Sequence, residues 1–381
     1  MTGLRLGSIG GFPLRIDLSW VILFFLVLWS FTTAVFPAAV PGLARSHYLG
    51  MGLAASLLFF GSLVAHEVAH AVVARRSGVP VEGISLFLLG GMARTRKEAA
   101  TPGDELRIAI AGPLASLALA AVLAAFWGAA AATGSGGPVT GVLRYVAFLN
   151  LALALFNLLP GFPLDGGRVF RAIVWAATGD VTRATRTAST TGRLIGYALV
   201  LLGLVAAFTG NVVGGLWMVF IGWYLRQAAL SGLEQHVLRS LLARVLAADA
   251  MTPAPVTVTP ELSLRSLLDD YLLGRGYASL PVLEQGRAIG IVTLPQLRAV
   301  PDGQWPARTV REVMLPLTPS LSVAPDTTLL EAIERLGGSP VRRILVERDG
   351  VLVGIIAPTD ITRWLEGSGE KGPAAVSAAR E

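Results

Sequence analysis

The sequence predicts a polytopic α-helical membrane protein with six transmembrane helices and a membrane-associated β-hairpin, followed by a soluble α+β domain. Hydrophobic residues make up 53% of the 381-residue chain and charged residues only 15%, whereas soluble domains average about 25% charged residues. Apolar runs fill residues 19–230, and acidic and basic residues are interspersed from residue 234 onward. We therefore divide the chain into a membrane domain (1–232), a soluble domain (244–365) and a disordered tail (366–381).

Six apolar stretches approach the roughly 20 residues that a helix needs to cross the hydrocarbon core. They are Ser19–Ala39, Leu49–Ala74, Leu106–Ala131, Val142–Leu159, Thr191–Phe208 and Val212–Leu230. Arginine and lysine gather in the N-terminal segment and after the second and fourth spans, so the positive-inside rule puts both termini in the cytoplasm. Anionic lipid is the expected neighbour of these bases, and no basic patch indicates nucleic acid. The absence of cysteine excludes disulfides and thiolate ligands.

The second span carries the motif HEVAH at residues 66–70, where polar side chains are costly. Because residues i and i+4 share a helix face, His66 and His70 can reach one metal ion, and Glu67 lies beside them as a candidate general base. The alternative is that these side chains only bond neighbouring spans. Intramembrane ionisable residues are rare and usually functional, which favours the metal site.

A zinc site needs a third protein ligand, and the sequence offers carboxylates for it. His47 and His236 lie outside the expected depth, which leaves Glu82, Asp104, Glu105, Asp165 and Asp180. The segment NLLPGFPLDGGR (residues 157–168) ends the fourth span on the cytoplasmic side, where prolines break the helix just before Asp165. Asp165 could also be a plain cap of a helix-ending loop, but the unfilled ligand position favours a role in metal binding.

The two motifs together resemble those of the site-2 proteases, which are intramembrane zinc metalloproteases that cut transmembrane substrates. HEVAH matches the H-E-x-x-H of that family, and NLLPGFPLDGGR matches its N-x-x-P-x-x-x-x-D-G pattern. The resemblance implies that His66, His70 and Asp165 bind one zinc ion. It also implies that Glu67 is the general base and later the proton donor, and that Asn157 helps to hold the substrate.

Two further features bear on this resemblance. Gly78–Gly91 alternates like a hairpin; in the family such a segment lies in the membrane near the active site and can pair with an extended substrate, whereas a simple surface hairpin is the alternative. Asn150 lies two helical turns from Asn157, and it is as consistent with a hydrogen bond between helices as with a role in the site.

The soluble domain contains an internal repeat, Asp249–Thr293 and Glu312–Ala357. Each copy reads as a short strand, a helix led by a proline, and two strands joined by a turn at Gly286 or Gly350. One such unit cannot easily bury its sheet alone, so we expect the two copies to pack together.

The repeat resembles a tandem pair of CBS domains, at about residues 244–300 and 308–365. Such pairs often bind adenine nucleotides, and an aspartate after the last strand contacts the ribose. The resemblance implies that Thr359 and Asp360 contact ATP, ADP or AMP in the second copy, whereas the first copy has Gln296 where the acid would be. A dimerisation or docking module without ligand is the alternative.

The sequence thus predicts a zinc-dependent intramembrane metalloendopeptidase of a prokaryotic cell membrane, with its active site toward the cytoplasm and a CBS pair as regulatory module. The resemblance implies a single-pass membrane protein such as an anti-sigma factor as substrate, and homodimerisation through the CBS pair. A CBS-regulated transporter or channel with the His/Glu cluster on an ion path is the alternative. A catalytically dead relative acting as a chaperone is disfavoured because all four catalytic positions are filled.

Overall fold

The computed structural model describes residues 4–87, 90–95, 99–134 and 137–367. The chain forms two compact units, Met1–His236 and Val237–Glu381. The elements of the first unit are β1 (Leu4–Ile9), β2 (Phe12–Ile16), α1 (Leu18–Ser30) with a π-helical continuation (Phe31–Val35), α2 (Phe36–Ala39), α3 (Arg45–Arg76), β3 (Val81–Phe87), β4 (Gly90–Thr95), α4 (Pro102–Ala132), α5 (Pro138–Asn157), α6 (Asp165–Thr178), α7 (Val181–Phe208) and α8 (Val212–Leu242).

Within the described ranges, five helical segments are long and apolar enough to cross a membrane, and they coincide with the first five predicted spans. They are Leu18–Ala39, Arg45–Arg76, Pro102–Ala132, Pro138–Asn157 and Val181–Phe208. The sixth predicted span forms the first part of α8, where Arg226 and Gln227 interrupt the apolar run. The six-span count therefore stays a prediction. Several helices also begin before the apolar run; α7 does so because Asp180 caps it by accepting hydrogen bonds from the backbone of Thr182 and Arg183.

A four-stranded sheet in the order β1-β2-β3-β4 packs against α3. The predicted hairpin is present as β3 and β4, which pair antiparallel, although Leu88 and Leu89 between them in the sequence lie outside the described residues. Strands β1 and β2 were not predicted, and β2 pairs parallel with β3. The apolar side chains of β2 are buried at alternate positions, a pattern too short to stand out in the sequence. Membrane association of the hairpin stays a prediction.

Helix α6 follows the loop after α5 and was also not predicted. Its first turn contains Gly166 and Gly167, where a Cβ atom would overlap the backbone of Leu158 and Gly161, respectively. These glycines let the start of α6 press against the loop that precedes it. Between α5 and α3, the amide of Asn150 donates to Ser62 Oγ at 3.1 Å, which is the hydrogen bond between helices that its position allowed.

The second unit contains the repeat. Its elements are α9 (Ala247–Ala250), β5 (Thr252–Pro253), α10 (Leu264–Ser266) with a π-helical continuation (Leu267–Leu273), β6 (Ser279–Glu284), β7 (Arg287–Thr293), α11 (Leu294–Arg298), a 3₁₀ turn (Asp302–Gln304), α12 (Val310–Val313), β8 (Leu315–Pro316), β9 (Ser322–Val323), α13 (Leu329–Gly338), β10 (Ile344–Arg348) and β11 (Val351–Ile356). Residues 358–367 are helical, and residues 368–381, which hold most of the predicted disordered tail, lie outside the described residues.

The two copies of the repeat exchange their leading strands. Strand β5 of the first copy pairs with β11 of the second, and β8 of the second copy pairs with β7 of the first. A Cβ atom on Gly354 would overlap Met251, and one on Gly290 would crowd the backbone of Leu315. Both copies therefore contribute to one sheet, in the order β6-β7-β11-β10-β9, as expected for units that cannot bury a sheet alone. The turns at Gly286 and Gly350 have positive φ angles of 81° and 78°, which suits glycine.

Candidate active site

Helix α3 holds the HEVAH motif with its polar side chains inside the unit. His66, Glu67 and His70 are 3%, 7% and 5% exposed. One turn separates the two histidines, and their Nε2 atoms lie 3.2 Å apart. Burial of three ionisable side chains in an apolar helix is costly, so partners must compensate for it.

Asp165 is the first residue of α6 and faces both histidines. Its Oδ2 atom lies 3.1 Å from His66 Nε2 and 3.2 Å from His70 Nε2. In the described part of the chain, these two histidines and one aspartate form a cluster whose ligand atoms lie close enough together to hold one metal ion. The structure thus brings together the three residues that the sequence analysis proposed as ligands, although they come from segments 95 residues or more apart.

The hydrogen bonds of the two imidazoles direct their Nε2 lone pairs at one point. His70 Nδ1 lies 2.7 Å from the Ile108 carbonyl, which can only accept, so neutral His70 keeps Nε2 as an acceptor. His66 Nδ1 lies 2.9 Å from Ser116 Oγ, which can accept in the same way. Two lone pairs and a carboxylate oxygen at this separation repel one another unless a positive charge lies among them.

The donor set fits zinc. Zinc binds histidine nitrogen and carboxylate oxygen at about 2.0–2.2 Å, and a tetrahedral arrangement then separates ligand atoms by about 3.3–3.6 Å. The separations of 3.1–3.2 Å lie just below the lower end of this range. Gly112 of α4 faces the cluster, and a Cβ atom there would overlap both Nε2 atoms. The missing side chain leaves space at the point where the three ligand atoms converge.

Glu67 lies beside this cluster without joining it. It interacts electrostatically with His66, His70 and Asp165. Strand β4 passes directly over it, since a Cβ atom on Gly91 would overlap the Glu67 side chain. A carboxylate next to a metal site, close but not a ligand, is the arrangement that a general base requires.

The remaining candidates lie elsewhere. The Asn157 amide donates to the Leu153 carbonyl at 3.0 Å, within its own helix, and no described contact joins it to the cluster. Asp180 caps α7, Asp104 pairs with Arg107 at 3.1 Å, and Glu105 pairs with arginines of α6. Ser116, which contacts His66, was not predicted, and its signal in the sequence is a lone serine inside an apolar span.

Of the residues implied for a nucleotide, Thr359 is exposed and Asp360 is buried. Asp360 Oδ1 accepts from the Thr252 hydroxyl at 2.7 Å, and Oδ2 accepts from the Ala357 amide at 2.8 Å. In the first copy, Gln296 Oε1 accepts from the Thr293 amide at 2.7 Å in the same manner. A cavity of about 390 Å³ adjoins the first copy, and residues of both copies line it: Ser279, Thr293, Gln296, Arg342 and Arg343.

Comparison with known proteins identifies two families in the chain. Residues 54–136 and 128–203 match Peptidase family M50, and residues 247–301 and 310–367 match the CBS domain. A relative named zinc metalloprotease Rip3 in Mycobacterium tuberculosis is 38% identical over 95% of this chain and 92% of its own. A relative named zinc metalloprotease MJ0392 in Methanocaldococcus jannaschii is 31% identical over 94% of this chain and 95% of its own.

A solved structure titled as a site-2 protease from the same archaeon shares 28% sequence identity with this chain. The structural match covers 61% of this chain and 95% of the solved chain, with a TM-score of 0.43. The extent of the sequence matches decides the family, because they run through both the membrane part and the repeat. The chain therefore belongs to peptidase family M50, the site-2 proteases, as a multi-pass membrane metalloprotease that carries a tandem pair of CBS domains.

Proposed function

We propose that this protein hydrolyses a peptide bond in or near the transmembrane segment of a single-pass membrane protein, with one zinc ion held by His66, His70 and Asp165. The observation that carries the proposal is the convergence of three acceptor atoms at 3.1–3.2 Å, beside the space left by Gly112. A zinc ion would bind all three acceptor atoms at once, and family M50 supplies the reaction class.

The chain's own residues perform the proton transfers. When bound, zinc supplies a Lewis acid that polarises the scissile carbonyl and lets water ionise near neutral pH. Glu67 takes one proton from the attacking water as its oxygen adds to the carbonyl carbon. When the C–N bond breaks, Glu67 returns that proton to the leaving amine. Asn157 would hold the substrate carbonyl after turning away from the Leu153 carbonyl, to which it now donates.

Strand β4 is the place where we expect the substrate to bind. It is an edge strand of the described four-stranded sheet, and its Gly91 lies against Glu67. A peptide bond inside a helix must be unwound before attack, and an extended segment can add to a free sheet edge through main-chain hydrogen bonds. A substrate strand at β4 would pass close to the general base.

The wider setting follows from the same proposal. The protein would lie in a prokaryotic cell membrane with both termini in the cytoplasm and the active site toward the cytoplasmic side. Its arginines and lysines would lie beside anionic lipid. The substrate would be a regulator such as an anti-sigma factor, which makes this regulated intramembrane proteolysis. A transporter or channel, the alternative from sequence, is disfavoured because the chain belongs to a protease family.

The CBS pair would act as a cytoplasmic regulatory module that binds ATP, ADP or AMP through Thr359 and Asp360, and that joins two chains as a homodimer. Support for a ligand comes from the exposed Thr359 hydroxyl beside the buried Asp360 carboxylate. Asp360 already accepts two hydrogen bonds from the protein and pairs with Arg363 at 3.2 Å, so a ribose would have to share this carboxylate.

The decisive test of the proteolytic site is Glu67→Gln, which keeps the shape of the side chain and removes its basicity. Cleavage of a membrane-spanning reporter should fall by about 10²- to 10⁴-fold, the usual contribution of a general base. Bound zinc, measured by elemental analysis, should stay at one per chain because Glu67 is not a ligand. Glu82→Gln, an exposed carboxylate of β3, is the matched control and should change neither quantity. Cleavage at the wild-type rate in Glu67→Gln, or a purified wild type without stoichiometric zinc, would contradict the proposal.

A further inference from the structure

Asp165 must be held precisely, although it comes directly after a loop. It is the first residue of α6, and its Oδ2 atom has to meet two histidines of another helix at 3.1 and 3.2 Å. The rotation of α6 about its own axis and its height beside the histidines decide whether this oxygen reaches them. Something must therefore fix α6 against the rest of the membrane unit.

A buried ion cluster between α4 and α6 does this. Glu105 of α4 is 1% exposed, and its Oε1 accepts from Arg168 Nε at 3.0 Å and from Arg171 Nη2 at 2.8 Å. Both arginines follow Asp165 on α6, three and six residues along the helix, so Arg168 lies on the same face as Asp165 and Arg171 lies one turn beyond Arg168. Arg171 also lies over the ring of Phe162, in the loop before Asp165. The single carboxylate thus fixes the helix at two points and, through Arg171, the loop.

Helix α4 also orients the two histidines. Ser116 Oγ lies 2.9 Å from His66 Nδ1, and the Ile108 carbonyl lies 2.7 Å from His70 Nδ1. Positions 105, 108, 112 and 116 recur at intervals of three and four residues, so they lie along one face of α4. One helix face therefore contacts both histidines directly and Asp165 through the arginines.

We propose that Glu105 is a positioning residue of the metal site, which holds α6 in the orientation that lets Asp165 complete the ligand set. Among the described contacts, Glu105 pairs with Arg168 and Arg171 and with none of the three proposed ligand atoms, so it would act through these two arginines. The inference rests on the proposed zinc site. It adds to that site a residue that lies in neither the HEVAH motif nor the NLLPGFPLDGGR segment.

The test is the zinc affinity of purified full-length Glu105→Gln, measured by competition with a chromogenic chelator, together with the absorption spectrum of the Co²⁺-substituted protein. We expect zinc binding to weaken by about 10- to 100-fold, as for loss of an outer-shell partner, and the tetrahedral Co²⁺ bands to lose intensity. Glu105→Asp, which keeps the charge, should restore part of both. Asp104→Asn, the neighbouring carboxylate that pairs with Arg107, should behave as wild type.

A merely structural role would lower the unfolding temperature of Glu105→Gln and leave the zinc affinity and the Co²⁺ spectrum unchanged; that result would overturn the inference alone. A wild type that binds no zinc would overturn the proposed function and the inference with it. If Glu105→Gln does not fold, Arg171→Gln provides the same test, because Glu105 keeps its bond to Arg168. A weaker but measurable loss of zinc affinity is expected there, and wild-type affinity would count against the inference.

Discussion

Gly112 shows how a single residue can decide whether a metal fits. It lies on the face of α4 that meets both histidines, and a Cβ atom there would overlap His66 Nε2 and His70 Nε2. The imidazoles cannot move aside without giving up the bonds that their Nδ1 atoms make to Ser116 and Ile108. The missing side chain of Gly112 and the hydrogen bonds of the two imidazoles together keep open the space in which we propose that zinc binds.

We therefore expect Gly112→Ala to weaken zinc binding by more than the roughly 10- to 100-fold that follows loss of an outer-shell partner. Chelator competition on purified protein measures this affinity. Gly61→Ala on α3 is the control, because a Cβ atom at Gly61 meets nothing within 4 Å. Wild-type zinc affinity in Gly112→Ala would show that the ion does not occupy the point where the three ligand atoms converge.

At the scale of elements, strand β4 and helix α3 approach each other at Gly91 and Glu67. Gly91→Ala would displace the buried Glu67 carboxylate and leave the three proposed metal ligands in place. We expect reporter cleavage to fall by at least about 100-fold, the lower range of a general base, while zinc affinity stays within about twofold of wild type. Gly91→Ala should thus reduce cleavage without loss of zinc, whereas Gly112→Ala should reduce zinc affinity. Loss of zinc from Gly91→Ala would show that β4 lies against the proposed metal ligands as well as against Glu67.

Some elements were predictable from sequence, and others were not, for physical reasons. The HEVAH spacing and the proline break before Asp165 are local, and each by itself constrains where a polar side chain can lie. The parallel pairing of β2 with β3 and the exchange of β5 and β8 join short strands that are distant in sequence, and no periodicity predicts such pairings. The arginines of α6 read as charges of a connecting loop, because their partner Glu105 lies 63 residues away.

For the molecule as a whole, the exchanged strands make the two copies of the repeat one folding unit. Thr252 of the first copy donates to Asp360 of the second at 2.7 Å, and Met251 lies against Gly354. Asp360 therefore stabilises the fold of the repeat, in addition to any role in binding a ligand. Removal of its carboxylate would leave the Thr252 hydroxyl and the Ala357 amide without an acceptor, at a cost of about 1–3 kcal/mol each.

Because Asp360 both stabilises the fold and is a proposed nucleotide contact, a test of nucleotide binding in the full chain must separate the two roles. Asp360→Ala would confuse unfolding with loss of ligand, whereas Asp360→Asn keeps one acceptor for the Ala357 amide, and the Thr252 hydroxyl can accept from the new amide group. Thr359→Ala changes an exposed side chain and should weaken ATP or AMP binding by about 2- to 10-fold, which corresponds to one hydrogen bond. Asp360→Asn should weaken binding further, because it removes a charged acceptor of the ribose.

Calorimetric titration of ATP, ADP and AMP into the full chain measures these affinities, and thermal unfolding of each variant checks its fold. Thr362→Ala is the matched control, since its hydroxyl bonds only to the Pro358 carbonyl of its own helix at 3.2 Å. If no nucleotide binds the wild type, the CBS pair acts without a ligand, as a dimerisation or docking module. If nucleotide binds and both Thr359→Ala and Asp360→Asn leave the affinity unchanged, the ligand lies elsewhere. The cavity lined by Gln296 and Arg343 would then be the place to examine, because both copies contribute polar side chains to it.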